Sequence, residues 1–175
     1  MLRRALKVVL ALALLGAVVV FVAQAFPGLV GADRALTVSS GSMEPAIPTG
    51  SVVFVDDVES SDVEERITEG DVITFVSGDN RLVTHRVVEK YTAETSVRFR
   101  TKGDNNDAAD PEPVYRQQVV GEVLFSVPVL GYVIAFANTS HGFLLLVWGP
   151  VLALVFSELV SLYRAGTATR ENDPE

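Results

Sequence analysis

The sequence predicts a mainly β domain held between an N-terminal and a C-terminal transmembrane helix. Two apolar stretches of 21 residues, 6–26 and 143–163, stand near the two ends. Between them lie five short runs rich in Val, Ile, Phe and Thr, bounded by Gly, Asp, Asn and Pro, which is the composition of strands and the punctuation of turns. One of these runs, 96–102, alternates without error: Val97, Phe99 and Thr101 fall on one side, Arg98, Arg100 and Lys102 on the other. That period of two belongs to a strand with one wet face.

The first apolar stretch carries one charge, Lys7, near its start. As a helix it is roughly 30 Å long, enough to cross a bilayer. Arg3, Arg4 and Lys7 put its start in the cytoplasm by the positive-inside rule. Ala23-Gln24-Ala25 resembles a small-x-small cleavage site, but the apolar run exceeds the ~7–15 residues of a secretory signal. Residues 1–27 therefore read as an uncleaved anchor, 28–138 as an extracytoplasmic domain, 139–164 as a second span and 165–175 as a polar cytoplasmic tail. Within the domain, 28–38 reads as a connector, 51–55 as a buried strand and 58–70 as an acidic loop. Runs 71–76 and 81–91 form a hairpin across Ser77-Gly78-Asp79-Asn80. A final strand is read at 119–125. The uncharged stretch 123–137, broken by Pro128 and Gly131, reads equally as core strand and turn or as a surface dipping into the lipid interface. In the second apolar stretch Gly149-Pro150 kinks a helix without abolishing it. Glu158 falls near the far end of the span, and Arg164 and Arg170 follow it.

Charge excludes several functions. The chain carries net charge -8. Between Pro27 and Gly142 there are 18 Asp and Glu against 9 Lys and Arg, with only Lys90 and Lys102 as lysines. Nucleic acid and anionic lipid headgroups both call for Lys/Arg clusters that this domain lacks. A lysine-poor acidic surface suits high salt, which screens its self-repulsion. With no cysteine and two histidines, His85 and His141, neither a thiolate nor a histidine-rich metal site is available.

Chemistry is concentrated in three places. Ser40-Gly41-Ser42-Met43-Glu44-Pro45 sets two hydroxyls around a glycine turn, so that a serine oxygen is presented beside its own N–H. His85 lies on a strand, sharing a face with Val83, Val87 and Glu89. Asp104 follows Gly103 after the alternating strand. A serine needs a base to become a nucleophile, and histidine suits the task near neutral pH. A carboxylate on the other ring nitrogen fixes the tautomer. His141, beside the second apolar stretch, reads as an interfacial residue without chemistry.

These segments, with Gly70-Asp71-Val72-Ile73, Thr84-His85-Arg86-Val87 and Lys102-Gly103-Asp104-Asn105-Asn106, resemble the ordered boxes of type I signal peptidases. The form is that of archaea and the endoplasmic reticulum, and the likeness covers residues 38–131. It implies a membrane-anchored serine endopeptidase of mainly β fold. Such an enzyme removes signal peptides from exported preproteins on the outer face of the membrane, without cofactor or metal. The resemblance assigns Ser42 as nucleophile, His85 as general base and Asp104 of the conserved box, alone or with Asp110, as the aspartate that orients the base. Asp110, with Asp107 as the alternative, matches a second functional aspartate, and which of the three meets His85 stays open. Ser40 matches the hydroxyl that joins the Ser42 N–H in the oxyanion hole. The implied substrates carry small side chains, typically alanine, at the first and third positions before the cut. The implied partners are signal peptides, the lipid bilayer and, as a further candidate, the secretion translocon. Two other readings compete: a Ser-Lys dyad using Lys90 or Lys102, and an inactive membrane-anchored β module that binds partners.

Overall fold

The computed structural model describes residues 2–93 and 96–170. They divide into two compact units, one of them running Ala23–Ile134 and the other made of the helical segments before and after it.

The Ala23–Ile134 unit is built on one antiparallel sheet. Its strands are β1 (Arg34–Thr37), β2 (Val52–Asp57), β3 (Val72–Val76), β4 (Leu82–Ala93), β5 (Ser96–Lys102), β6 (Val114–Tyr115) and β7 (Val119–Val127). They lie in the order β1-β2-β7-β3-β4-β5-β6. The predicted strands are all present. The connector expected at 28–38 contains a 3-10 turn at Pro27–Val30 and the strand β1. The acidic loop holds a single helical turn, α2 (Val63–Arg66), whose carbonyl end is capped by the Lys90 ammonium.

Period-two alternation sorts the β3 side chains between two cores. Ile73 and Phe75 join Val63, Ile67, Val87 and Phe99 on one face. Val72 faces the other way with Val53, Val55, Met43 and Ile47. β2 is buried along Val52–Val55 because both of its faces are covered. The alternation read in β5 is observed, with Val97, Phe99 and Thr101 all buried.

β4 has two sets of partners. Its first half, Leu82 to Arg86, pairs with β3. From Arg86 onward it pairs with β5, with a bulge at Val88. Among the described residues Leu82–His85 is therefore paired on one side only, and so is β1, which meets β2 alone. The β3–β4 turn matches its reading: Asn80 takes φ 61 and the Ser77 N–H donates to the Arg81 carbonyl.

The stretch read equally as core strand or interfacial surface is strand to Val127, then helix α3 (Leu130–Ala137), with Val129 at φ 65 between them. Proline at 128 ends the ladder because it has no N–H to donate.

The apolar ends are helical. The first is α1 (Leu2–Ala25), and the second is divided among α4 (Ser140–Phe143), a π-helical turn at Leu144–Trp148 and α5 (Gly149–Arg170). The expectation of two membrane spans is corrected here: among the described residues no helix is long and apolar enough to cross a membrane. In the second stretch the cause is visible along the chain. The α-helix is interrupted before Gly149 by the π-helical turn, and α5 carries Glu158 and Arg164 before its polar end.

Candidate active site

Ser42 sits on the loop that joins β1 to β2. The loop is closed at its base by Val38 and Ser51, whose backbones bond at 2.9 Å. Within it, Met43 and Ile47 occupy one side of a single turn, the Ile47 N–H donating to the Met43 carbonyl at 2.8 Å. Both side chains are buried in the second core, so the apolar neighbours of Ser42 hold its backbone down and leave its hydroxyl facing out. The Glu44 carboxylate accepts from the Thr49 N–H at 3.2 Å and its hydroxyl at 2.9 Å, which holds that carboxyl below its ordinary pKa. Behind the loop, Gly50 has φ +79, and a Cβ there would strike the Tyr132 ring. Only glycine permits both the turn and that packing.

His85 lies at the half-paired part of β4, opposite Ile73. It is 8% exposed, with the Phe75 ring edge-on at 6.4 Å. Its Nε2 is 3.1 Å from the Ser42 hydroxyl and its Nδ1 is 2.7 Å from Asp110 Oδ2. The Ser40 hydroxyl is 3.3 Å from that of Ser42. Ser42, His85 and Asp110 thus form one hydrogen-bonded line.

Asp104 is elsewhere. Its two oxygens accept from Arg86 Nε at 2.9 Å and Nη2 at 2.7 Å, in the two-pronged geometry that suits a guanidinium. This raises the Arg86 pKa above its ordinary value. Arg86 also donates to the Gly70 carbonyl at 2.8 Å, so Gly70 of the second sequence box meets the third. Asp107 is exposed on the same loop. The chain between β5 and β6 leaves at Lys102 and returns when the Asp110 N–H donates to the Thr101 carbonyl at 2.8 Å. That return is what sets Asp110, rather than Asp104, beside the imidazole. On the way the Asn105 N–H donates to the Ser42 carbonyl at 2.8 Å, and Asn105 Nδ2 reaches the Gly41 carbonyl at 3.3 Å. Gly103 lies so close that a Cβ there would be 2.5 Å from the Ser42 oxygen.

The sequence pattern gave Thr101 an inward position but no partner. Its hydroxyl donates to Asp110 Oδ2 at 2.6 Å. The signal available was a polar residue at the third inward place of a clean alternation, which needs a hydrogen bond once buried. Neither lysine is near this line. Lys90 Nζ donates to the Ile67 carbonyl at 2.8 Å and to that of Glu64, and Lys102 takes the face of β5 opposite Thr101. His141 is exposed in α4. Among the described residues no group of His, Asp and Glu is placed to hold a metal ion.

A cavity of about 400 Å³ opens on Ser42 and His85. Its walls are the end of β1 with the chain to Ser40 on one side and Arg81 to His85 on the other, with Val53 and Met43 beneath. It runs between the two half-paired edges of the sheet.

Residues 23–124 match the Peptidase S24-like family model. The chain belongs to the S24-like peptidase family, with the type I signal peptidases. The chain is 47% identical to Signal peptidase I W of Bacillus subtilis over 83 residues, which are 47% of the chain and 42% of that relative. It is 33% identical over 106 residues to the signal peptidase complex catalytic subunit SEC11 of Colletotrichum graminicola, covering 56% of the chain and 60% of the subunit. The SEC11 of Verticillium alfalfae is 33% identical over 129 residues, or 69% of the chain and 72% of the subunit. The chain thus spans between two-fifths and three-quarters of the length of these relatives. All four sequence boxes lie within the match to the family model.

Proposed function

We propose that this peptidase is a serine endopeptidase that removes signal peptides from exported preproteins, with Ser42 as nucleophile, His85 as general base and Asp110 as the carboxylate that orients it. The hydrogen-bonded line from Ser42 through His85 to Asp110 carries this reading. Its contacts support these roles. Asp110 on Nδ1 requires the proton there, which leaves the Nε2 lone pair facing the serine. Nε2 takes the proton as Ser42 Oγ attacks the scissile carbonyl, and gives it to the amine that leaves. Water then repeats the sequence and frees the acyl group. The Ser42 N–H, with the Ser40 hydroxyl beside it, receives the oxyanion. The chemistry needs no metal or cofactor.

The cavity suits an extended peptide. A chain lying between the end of β1 and the start of β4 would satisfy edge backbone groups that the sheet leaves unpaired. Leu36, Val38, Val53 and Val83 give it apolar walls, which suits small apolar side chains such as alanine near the cut. The end helices support association with the lipid bilayer: Val8, Leu12, Leu15, Phe156, Leu159 and Leu162 are each more than half exposed. On this reading the β unit works on the outer side of the membrane, where preproteins leave the secretion translocon. The acidic, lysine-poor composition favours work in high salt.

The test is cleavage of a preprotein with an Ala-x-Ala site, in detergent and high salt, by wild type, Ser42→Ala and His85→Ala. Wild-type cleavage with near-complete loss in both variants is expected. Equal cleavage by Ser42→Ala sinks the assignment, and loss of cleavage on His85→Ala alone would leave the base without its nucleophile.

A further inference from the structure

We propose that Thr101 is a positioning residue of the catalytic line, acting through Asp110. The inference rests on the serine-peptidase reading above.

Thr101 is fully buried, at 0% exposure, on an inward position of β5 otherwise taken by Val97 and Phe99. A hydroxyl taken from water without a partner costs on the order of 1–3 kcal/mol, so its choice of partner is under constraint. The partner is Asp110 Oδ2, at 2.6 Å. That oxygen is also the one 2.7 Å from His85 Nδ1. The Thr101 carbonyl accepts the Asp110 N–H at 2.8 Å. One residue therefore holds the aspartate at both its backbone and its reacting oxygen. The strand register explains how: Thr101 is paired with Val87, two residues along β4 from His85. The frame that places the histidine is the frame that places the threonine.

The carboxylate is part exposed, at 21% for its side chain, so packing alone does not stop it turning about its terminal torsion. Two donors on one oxygen do. They keep Oδ2 on the imidazole. Neither Val nor Ala can make the threonine contact, whereas Ser can.

The experiment uses the full chain in detergent. Steady-state cleavage of a preprotein is measured across pH for wild type, Thr101→Val, Thr101→Ser and Ser42→Ala, with a melting curve for each. Thr101→Val is expected to lower kcat about 10- to 100-fold, the loss of a hydrogen bond to a charged group. KM should stay within about twofold, because Thr101 does not line the peptide cavity. Thr101→Ser, which keeps the hydroxyl, should recover most of kcat. Thr101→Val cleaving like wild type overturns the proposal. So does a loss of kcat that only tracks a lower melting temperature, or one that Ser does not repair. Ser42→Ala reports separately: if it cleaves, the peptidase reading itself has failed, whatever the Thr101 variants do.

Discussion

Asp104 and Asp110 stand on one loop and hold different partners, Arg86 and His85. Their replacements should fail differently. Asp110→Asn puts an amide on Nδ1, offers it the wrong hydrogen-bonding partner and favours the wrong imidazole tautomer. A fall in kcat of about 10³–10⁴-fold with an unchanged melting temperature is expected. Asp104→Asn leaves the line from Ser42 to Asp110 whole but removes one prong from the Arg86 fork. Its melting temperature should drop clearly, with kcat kept within about tenfold. The two variants exchanging these profiles would reverse the assignment. The motif in sequence drew attention to Asp104, which follows the glycine, and left open which aspartate meets the histidine. Spacing along a loop says nothing about where the loop turns back, and here the return is fixed by one backbone bond, from Asp110 to Thr101.

Among the elements, the loop after β5 touches the nucleophile through its backbone. A Cβ at Gly103 would lie 2.5 Å from the Ser42 oxygen and 2.8 Å from Asn106 Nδ2. Gly103→Ala must push two backbones apart, because the first obstacle is a main-chain atom. Lower stability and a loss of at least about tenfold in kcat should appear together, in melting and in cleavage. A fully active Gly103→Ala would mean the loop is free to move away. The strands from β2 to β5 and β7 were legible because each is a run of β-branched and aromatic residues closed by turn residues. β1 was not: Arg34-Ala35-Leu36-Thr37 is short and at the sheet edge, with Arg34 and Thr37 exposed and only the middle pair half-buried. α3 was ambiguous because eight apolar residues carry no period that separates helix from buried strand. The serine turn was legible as chemistry. Its anchoring was not, because Met43 and Ile47 bury themselves against strands far along the chain.

On the scale of the whole molecule, acidity has a measurable cost. Glu122 on β7 is partly buried, and this burial, with the Asp71 charge next in effect, raises its carboxyl above the ordinary value. The folded state then holds that proton more tightly than the unfolded one. Stability is retained below the ordinary carboxylate range and falls as pH rises through the raised value. Glu122→Gln should therefore melt at a higher temperature than wild type at pH 7, with the difference closing below about pH 4. A lower melting temperature at pH 7 would show that its attraction to Arg66 outweighs the burial. The end stretches were legible as apolar and helical. The expected spans were not met, since residue counts alone register neither the π-helical turn at Leu144–Trp148 nor the polar end of α5.

The two half-paired edges beside Ser42 decide what can enter before any side chain is read. A strand already inside a native sheet has its N–H and C=O groups engaged on both sides and has nothing to offer either edge. An unfolded or extended segment offers both. On the proposed reading, a cleft of this kind would discriminate first between folded and unfolded polypeptide, and mature cargo that has finished folding would be passed over without needing a sequence that forbids it.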